Sequence, residues 1–226
     1  KLAILSNLSF GILSDIKDIY IEGIKEITLM DITFARELGY RIKLLGISEY
    51  SNNSLFQRVH PCMISKDLPL SSINKTFNAV VIESNKTPST LIVGHGAGGD
   101  VTASAVVADL VDIIRGSEAP TFGVISKKLT EPKIIDMDNR TGKYYIRLNV
   151  IDTIGVIADV GKCLRDSNVS ISSLLQKEYE KISSNGVPIV IITHQNKEKN
   201  INTAIKKIAE LRSVIAKPVK IRIEEF

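Results

Sequence analysis

The 226-residue sequence predicts an α+β fold in two parts, a mixed or antiparallel sheet layer with flanking helices and then a four-stranded unit in the order βαββαβ. Apolar runs of strand length recur between residues 41 and 94. From residue 143 onward, strand-type and helix-type periodicities alternate. The intervening stretch is rich in Gly, Pro, Lys and Asp and has little periodicity. We therefore predict a first domain over 1–115, a linker over 116–142 and a second domain over 143–226.

The composition excludes several classes of protein. Hydrophobic residues make up 44% and charged residues 24% of the chain, which is ordinary for a globular domain. No apolar run reaches the roughly 20 residues of a membrane span, and the start lacks a signal-peptide pattern, so we expect a cytoplasmic protein without membrane contact. Cys62 and Cys163 have no paired spacing and are predicted to be reduced core residues. The basic excess near the C-terminus lacks aromatic interleaving, which predicts a solvated face and no nucleic-acid binding.

The first part is predicted to begin with a core-facing helix from Lys1 to about Ser14, based on the helical spacing of its apolar residues Leu5, Leu8 and Ile12. A second helix is capped by Asp31 and ends at Gly39. Four strand signals belong to this part, at 41–48, 56–64, 77–84 and 89–94. We expect these strands to form one layer. The two or three available helices would leave one face of that layer to pack against a second copy of the chain.

A glycine-rich turn at residues 94–100 joins the last of these strands to a helix that reaches about Arg115. Free backbone N–H groups at such a turn can face an anion or a polar ring, and Asp100 or Thr102 is the predicted N-cap. The spacing satisfies G-x-G-x-x-G, but no second strand with a ribose-binding acid follows. Three interpretations stay open: a self-contained dinucleotide site, a turn that contributes to a shared site, and a plain glycine turn. The predicted binding residues are Gly96, Ala97, Gly98, Gly99 and Thr102.

No metal site is predicted. His60 and His194 each lack a second ligand at metal-binding spacing, which favours structural roles for both. The sequence also lacks the nucleophile-elbow and phosphate-loop motifs of common hydrolases and nucleotide triphosphatases.

The second part carries six element signals after a linker that contributes one strand near 122–125. The predicted order is strand 144–151, helix 155–166, strand 169–175, strand 187–193, helix 198–212 and strand 219–224. This order is typical of a ferredoxin-like arrangement, in which two helices cover one face of a four-stranded antiparallel sheet.

The turn from Asp152 to Val156 resembles the D-x-x-G-V turn of ACT domains, which are small regulatory modules that usually bind amino acids. Ile154 departs from that pattern, where Pro is usual. The resemblance implies an effector whose carboxylate meets the helix N-terminus, between two ACT units, with threonine favoured. The predicted effector residues are Asp152, Gly155, Val156, Asn168, Ser170 and Ile171. A role as a dimerisation element alone is the alternative for this domain.

Several blocks in the first part resemble the C-terminal part of the catalytic region of homoserine dehydrogenases, whose bacterial members continue into an ACT domain. The blocks are residues 42–47, 58–61, 77–80, 96–99 and 102–109. His95 stands where the family usually has Pro. The competing interpretation is a non-catalytic module that senses amino acids.

The resemblance implies a mechanism and an assembly. Lys1 matches the lysine that ends the family's signature motif and exchanges a proton with the aldehyde or hydroxyl oxygen, while NAD(P)H and substrate exchange a hydride. The implied reaction reduces aspartate semialdehyde to homoserine. The nucleotide-binding domain would precede residue 1, so this chain alone should be inactive and bind no cofactor tightly. A homodimer is implied, and a tetramer could form through the ACT domains.

Overall fold

The computed structural model describes residues 1–117, 119–176 and 186–226. The helices are α1 Leu2–Phe10, α2 Leu29–Glu37, α3 Gly99–Ile114, α4 Val156–Arg165 and α5 Glu198–Ala209. The strands are β1 Tyr20–Ile21, β2 Tyr40–Ser51, β3 Ser54–Ser65, β4 Phe77–Ile82, β5 Thr90–His95, β6 Lys133–Ile134, β7 Thr141–Val150, β8 Ile171–Gln176, β9 Val187–Thr193, β10 Asn196–Lys197 and β11 Val219–Ile223. Within these described ranges, no helix is long and apolar enough to cross a membrane.

Nine of the strands form one mixed sheet with flanking helices, which confirms the predicted α+β class. Its centre is β3, which pairs along its whole length with β2 in antiparallel fashion. The opposite edge of β3 is divided end to end among three short strands, β6, β1 and β11, all parallel to it. Since β11 also pairs with β7, residues from both predicted domains share one sheet.

The single four-stranded layer expected in the first part is wrong. Strands β4 and β5 form a separate two-stranded sheet, whereas β2 and β3 belong to the large one. Both edges of β3 are already occupied along most of its length, so the β4–β5 hairpin has no free edge to join there. The expected strand near 122–125 is also absent, and β6 lies about ten residues later in its place.

The order β7-α4-β8-β9-α5-β11 follows the prediction, with β10 as a short addition. The sheet order β11-β7-β9-β8 places the first and last strands side by side. Helices α4 and α5 cover one face, and their predicted apolar sides are buried in a cluster that includes Val156, Val160, Leu164, Ile201, Ala204 and Ile208. Cys163 packs half-buried against this cluster, and Cys62 is fully buried.

The opposite face of the sheet carries a second core, to which both halves of the chain contribute. It contains Phe34, Ala35, Met63, Tyr145, Val190, Ile192, Val219, Ile221 and Ile223. Helix α2 covers this face. The N-cap of α2 is Thr28 and not Asp31, because Asp31 occupies the third helical position and closes a capping box onto Thr28. Gly39 follows the helix with φ of 82°, as predicted for a left-handed end.

Helix α1 faces the sheet with Leu2, Ser6 and Phe10, and not with the predicted Leu5 and Leu8. Leu5 and Leu8 are exposed, whereas Ser6 and Asn7 are buried. Ile12 is buried beyond the end of the helix. The apolar spacing therefore identified the helix correctly but not the face that contacts the sheet.

Candidate functional site

The glycine turn between β5 and α3 adopts a conformation that only glycine tolerates well. Gly98 is the N-cap of α3, with φ of 140° and ψ of 144°. The prediction of Asp100 or Thr102 as the cap is therefore wrong, because the open backbone of Gly98 takes that position. The Thr102 hydroxyl instead donates to the Gly98 carbonyl at 2.9 Å. Because the N-cap Gly98 has no side chain to accept hydrogen bonds, the first N–H groups of α3 have neither an intrahelical acceptor nor a side-chain cap.

The loop before the cap lies directly against β4. The Gly96 N–H donates to the Thr76 carbonyl at 2.9 Å. A Cβ on Gly96 would lie 1.1 Å from Asn78 Nδ2, so the close approach requires glycine at this position. The His95 ring packs against Phe77 with centroids 4.3 Å apart.

All five predicted binding residues of this turn are brought together. They line an open cleft of about 750 Å³ whose other lining residues are Ala103, Val106 and Val107. Free helix N–H groups beside a flat apolar surface suit a ligand that combines a polar or anionic group with a ring. A self-contained dinucleotide fold is not supported, since the next strand in the described chain after α3 is β6, which pairs with β3 in the other sheet. The turn fits a contribution to a shared site.

We expect Gly98→Ala to destabilise the start of α3 by about 1–3 kcal/mol, because an alanine at φ of 140° is strained. Hydrogen exchange of the α3 amides should report this as faster exchange across the first turns. Gly99→Ala is the matched control, because an added Cβ there meets nothing within 4 Å and the residue is helical. Equal exchange in the two variants would contradict the strained cap.

Lys1 precedes α1 and is exposed. Its carbonyl accepts the Leu5 N–H at 3.0 Å, so its backbone forms the first turn of the helix. Lys1 does not line the glycine cleft. The structure thus gathers the predicted turn residues into one site but leaves the lysine on a different element.

A second cleft, of about 250 Å³, lies where β7 ends and α4 begins. Gly155 is the N-cap of α4 with φ of 95°, so the predicted turn requires a left-handed residue there. Three predicted effector residues, Asp152, Gly155 and Val156, line this cleft. The remaining lining residues are Val150, Ile151, Thr153, Ile157, Ala158, Gln176 and Ile189. Sequence reasoning missed Gln176, which lies one residue past the end predicted for its strand.

The other three predicted effector residues, Asn168, Ser170 and Ile171, do not belong to this cleft. Ile171 begins β8, and Gln176, at the opposite end of that strand, pairs with Ile189 beside the cleft. Five residues of extended strand separate the two ends by about 16 Å. Within one chain these residues therefore cannot contact a small ligand held at the start of α4.

A buried cluster under the β3–β11 pairing brings together His60, Cys62 and Glu224, with candidate ligand atoms within 4.8 Å of one another. Both carboxylate oxygens of Glu224 already face cations: Arg140 lies at 3.0 Å and Arg58 at 3.5 Å.

Burial, reinforced by Arg222, lowers the pKa of His60 to about 3, and burial followed by Glu224 raises the pKa of the Cys62 thiol to about 12. A protonated thiol and an arginine-paired carboxylate are poor metal ligands. The cluster therefore fits a structural junction between the two halves of the sheet.

Comparison with known proteins relates the whole chain to one family of enzymes. A family model described as homoserine dehydrogenase matches residues 1–111. A homoserine dehydrogenase of Pseudomonas aeruginosa is 36% identical over 232 residues, which cover 100% of this chain and 53% of the relative. One of Helicobacter pylori is 38% identical over 226 residues, covering 99% of this chain and 52% of the relative.

A solved structure supports the same family. The crystal structure of a homoserine dehydrogenase from Thiobacillus denitrificans superposes with a TM-score of 0.87 at 39% identity, and covers 100% of this chain and 52% of that one. The chain spans about half the length of the curated relatives it matches. A module that only senses amino acids would not account for the match over residues 1–111. The chain therefore belongs to the homoserine dehydrogenase family.

Proposed function

We propose that this chain is the C-terminal half of an NAD(P)-dependent homoserine dehydrogenase of the cytoplasm. The complete enzyme would reduce L-aspartate 4-semialdehyde to L-homoserine in the biosynthesis of threonine, methionine and isoleucine. The observation that carries this proposal is the match of the whole chain to about half of each relative of that name. The preceding half would supply the nucleotide-binding domain.

The residues of this chain fit two parts of that chemistry. Gly96 to Gly99 and Thr102 would line one side of the site for cofactor or substrate. Glycines have no Cβ atom, so a ligand can approach the backbone N–H groups at the start of α3. NAD(P)H, when bound, supplies the hydride. Lys1 would donate a proton to the aldehyde oxygen and, in the reverse reaction, accept it from the hydroxyl group.

The proposed function is tested with the complete polypeptide and with this chain alone. We expect the complete protein to oxidise NADPH or NADH when aspartate semialdehyde is added. The chain alone should show no turnover above background, because binding and orienting the cofactor depends on the missing half. An inactive complete protein, or turnover by the chain alone, would refute the assignment.

We propose further that residues 143–226 form an ACT regulatory domain, after a catalytic and dimerisation region over 1–115 and a linker over 116–142. The βαββαβ order and the cleft at the start of α4 support this. An amino-acid effector, with threonine favoured as a pathway end product, would place its carboxylate at the N–H groups of Gly155 and Val156. Asp152, Thr153 and Gln176 line this cleft with polar side chains that would meet its amino group.

A second copy of the domain would allow the three predicted effector residues outside the cleft to contact the ligand. Among the described strands, β8 lies at an edge of the sheet, and Ile171 at its start is exposed. Antiparallel pairing of β8 with the same strand of a partner would bring the partner's Asn168, Ser170 and Ile171 toward the cleft. This arrangement places the effector between two units and would build a tetramer from two dimers.

We expect Gly155→Val to abolish threonine binding with only moderate loss of stability, because a β-branched residue at φ of 95° costs about 1–3 kcal/mol. Calorimetric titration with threonine, methionine, isoleucine and lysine measures the binding. Gly161→Ala in the same helix is the control, since added atoms there meet nothing within 4 Å. No heat from any of the four amino acids at millimolar concentration would leave the domain a dimerisation element.

The β4–β5 hairpin and α3 support the proposal of a homodimer. No residue of α3 is buried, and an isolated two-stranded hairpin is marginally stable in water. The exposed apolar residues of this region are Phe77, Val80, Ile82, Leu91, Ile92, Val93, Val101, Val106, Val107, Leu110, Val111, Ile113 and Ile114. A surface of this kind marks an interaction site, and symmetric pairing with a second copy covers it on both chains.

We expect light scattering of the chain at micromolar concentration to give the mass of a dimer. Leu110→Glu should shift the population toward monomer, because it places a charge among the exposed apolar side chains of α3. Lys128→Gln, outside this surface, also lowers the net charge by one unit and serves as the charge-matched control. A stable monomer for the unmodified chain would contradict the homodimer.

A further inference from the structure

Helix α1 lies along strand β2 in a matched register. A Cβ added to Gly46 would lie 3.4 Å from Leu2 Cδ1. Ser6 Oγ lies 2.8 Å from Ser48 Oγ. The rings of Phe10 and Tyr50 stack with centroids 5.3 Å apart. We call these three contacts the first, second and third rungs.

The rungs are evenly spaced because the two periodicities agree. Four helical residues rise about 6.0 Å, and two strand residues about 6.7 Å, so each helical turn faces one alternate residue of the strand. The helix and the strand therefore run in the same direction. Lys1 directly precedes the residue of the first rung.

The second rung is polar and buried. Gln57, which pairs with Ser48 across the β2–β3 ladder, donates from Nε2 to Ser6 Oγ at 2.7 Å. Ser6 Oγ also lies 2.8 Å from the Leu2 carbonyl. Ser6 and Gln57 are each 2% exposed.

Polar anchoring of this kind specifies position more narrowly than apolar packing does. Ile4, Leu5 and Leu8 are exposed, so the middle of the helix is held on β2 by hydrogen bonds, between the apolar contacts of the first and third rungs. A hydrogen bond weakens steeply with distance and angle, and a slide of the helix by one residue, about 1.5 Å, would break the second rung.

We propose that Gly46, Ser6, Ser48 and Gln57 are positioning residues that hold α1 in register on the sheet and so set where the Lys1 ammonium group lies. This inference rests on the proposed function, in which Lys1 exchanges a proton with the substrate oxygen. Gly46 keeps the first rung close. The hydrogen bonds of the second rung prevent the helix from sliding or turning.

The test uses the complete enzyme with one substitution at each rung. Gly46→Val pushes Leu2 away from β2, and we expect kcat to fall by up to about 100-fold, since a misplacement near 1 Å can cost that much. Gln57→Leu removes the donor of the second rung, and about a tenfold fall is expected by the same reasoning. Tyr50→Leu loosens the third rung, farthest from Lys1, and should change kcat least. KM for the cofactor should stay constant in all three.

Two measurements separate positioning from general loss of structure. Thermal unfolding of each variant gives its loss of stability, and the loss of kcat should follow the distance from Lys1 and not the loss of stability. Gly46→Ala, whose Cβ makes only a 3.4 Å contact, should retain most of the activity that Gly46→Val loses.

The possible failures are distinguishable. Unchanged kcat in Gly46→Val and Gln57→Leu, or losses that parallel the loss of stability in all variants, would overturn the positioning role while Lys1 kept its own. A complete enzyme that loses no activity when Lys1 itself is replaced would refute the proposed role of Lys1, and the positioning role with it, while an inactive complete enzyme would refute the proposed reaction.

Discussion

Replacing Lys1 with methionine is expected to lower kcat of the complete enzyme by about 10² to 10⁴-fold, the usual contribution of a positioned general acid or base. Methionine has a similar length but no proton to exchange with the substrate oxygen. The rate of nicotinamide oxidation at saturating aspartate semialdehyde measures the effect. KM values should change little, because the proposed role of Lys1 lies in the proton transfer.

Lys17→Met provides the matched control for Lys1→Met. Lys17 is also exposed and near the N-terminus, and its ammonium group pairs with Asp15 at 2.9 Å, away from any proposed role in the reaction. Its variant should retain full activity. Retention of more than a tenth of the wild-type kcat in Lys1→Met would remove the proton-transfer role from this residue.

The second large effect is expected at Asp31, whose substitution by alanine should lower the free energy of unfolding by about 3–5 kcal/mol. The Asp31 carboxylate is buried and accepts Arg147 Nε at 2.6 Å and Arg147 Nη2 at 3.1 Å. It also accepts the Tyr145 hydroxyl at 3.0 Å and the Thr28 N–H at 2.9 Å. Removing the carboxylate leaves Arg147 as a buried charge without its partner. Urea denaturation of the chain measures the loss.

The stabilisation that Asp31 contributes should depend on pH in a direction that its pKa determines. Burial would raise the pKa of Asp31, but hydrogen bonds from Arg147 and Thr28 outweigh it and hold that pKa below its ordinary value. A lowered folded-state pKa means that the stabilisation is complete above the unfolded pKa, about 3.9, and is lost as pH falls through the folded value. The difference between wild type and Asp31→Ala should therefore shrink in acid.

Glu26→Ala is the control for Asp31→Ala. Glu26 and Lys217 form an exposed pair at 3.9 Å, and such pairs contribute at most about 1 kcal/mol. Equal losses of stability in the two variants would show that burial of the Asp31 cluster is unimportant.

Local patterns in the sequence predicted much of the C-terminal unit. Helices α4 and α5 bury the apolar residues that their 3.6-residue spacing indicated, and Gly155 has the positive φ expected of its turn. These features depend on neighbours within one or two turns of the chain, so their signals are local. The glycines of the β5–α3 turn were identified in the same way.

The face of α1 could not be predicted from spacing. An apolar stripe indicates burial against another element, but Leu5 and Leu8 of the predicted stripe point away from the sheet, and Ile12 is buried beyond the end of the helix. The middle of the helix is held by the hydrogen bonds of Ser6 with Ser48 and Gln57, each more than 40 residues away. Polar pairs of this kind leave no periodic signal.

The amino-acid sequence by itself determined most of the longer helices and strands, the positions that require glycine in two turns, and the family to which the chain is related. Only the tertiary structure decided that β11 lies beside β3, that Arg147 neutralises Asp31, and that Ile171 lies at the end of β8 far from the cleft at Gly155. The physical reason is that secondary structure follows from neighbours along the chain. The edges of β3 and the partners of buried charges are instead assigned by competition among segments distant in sequence.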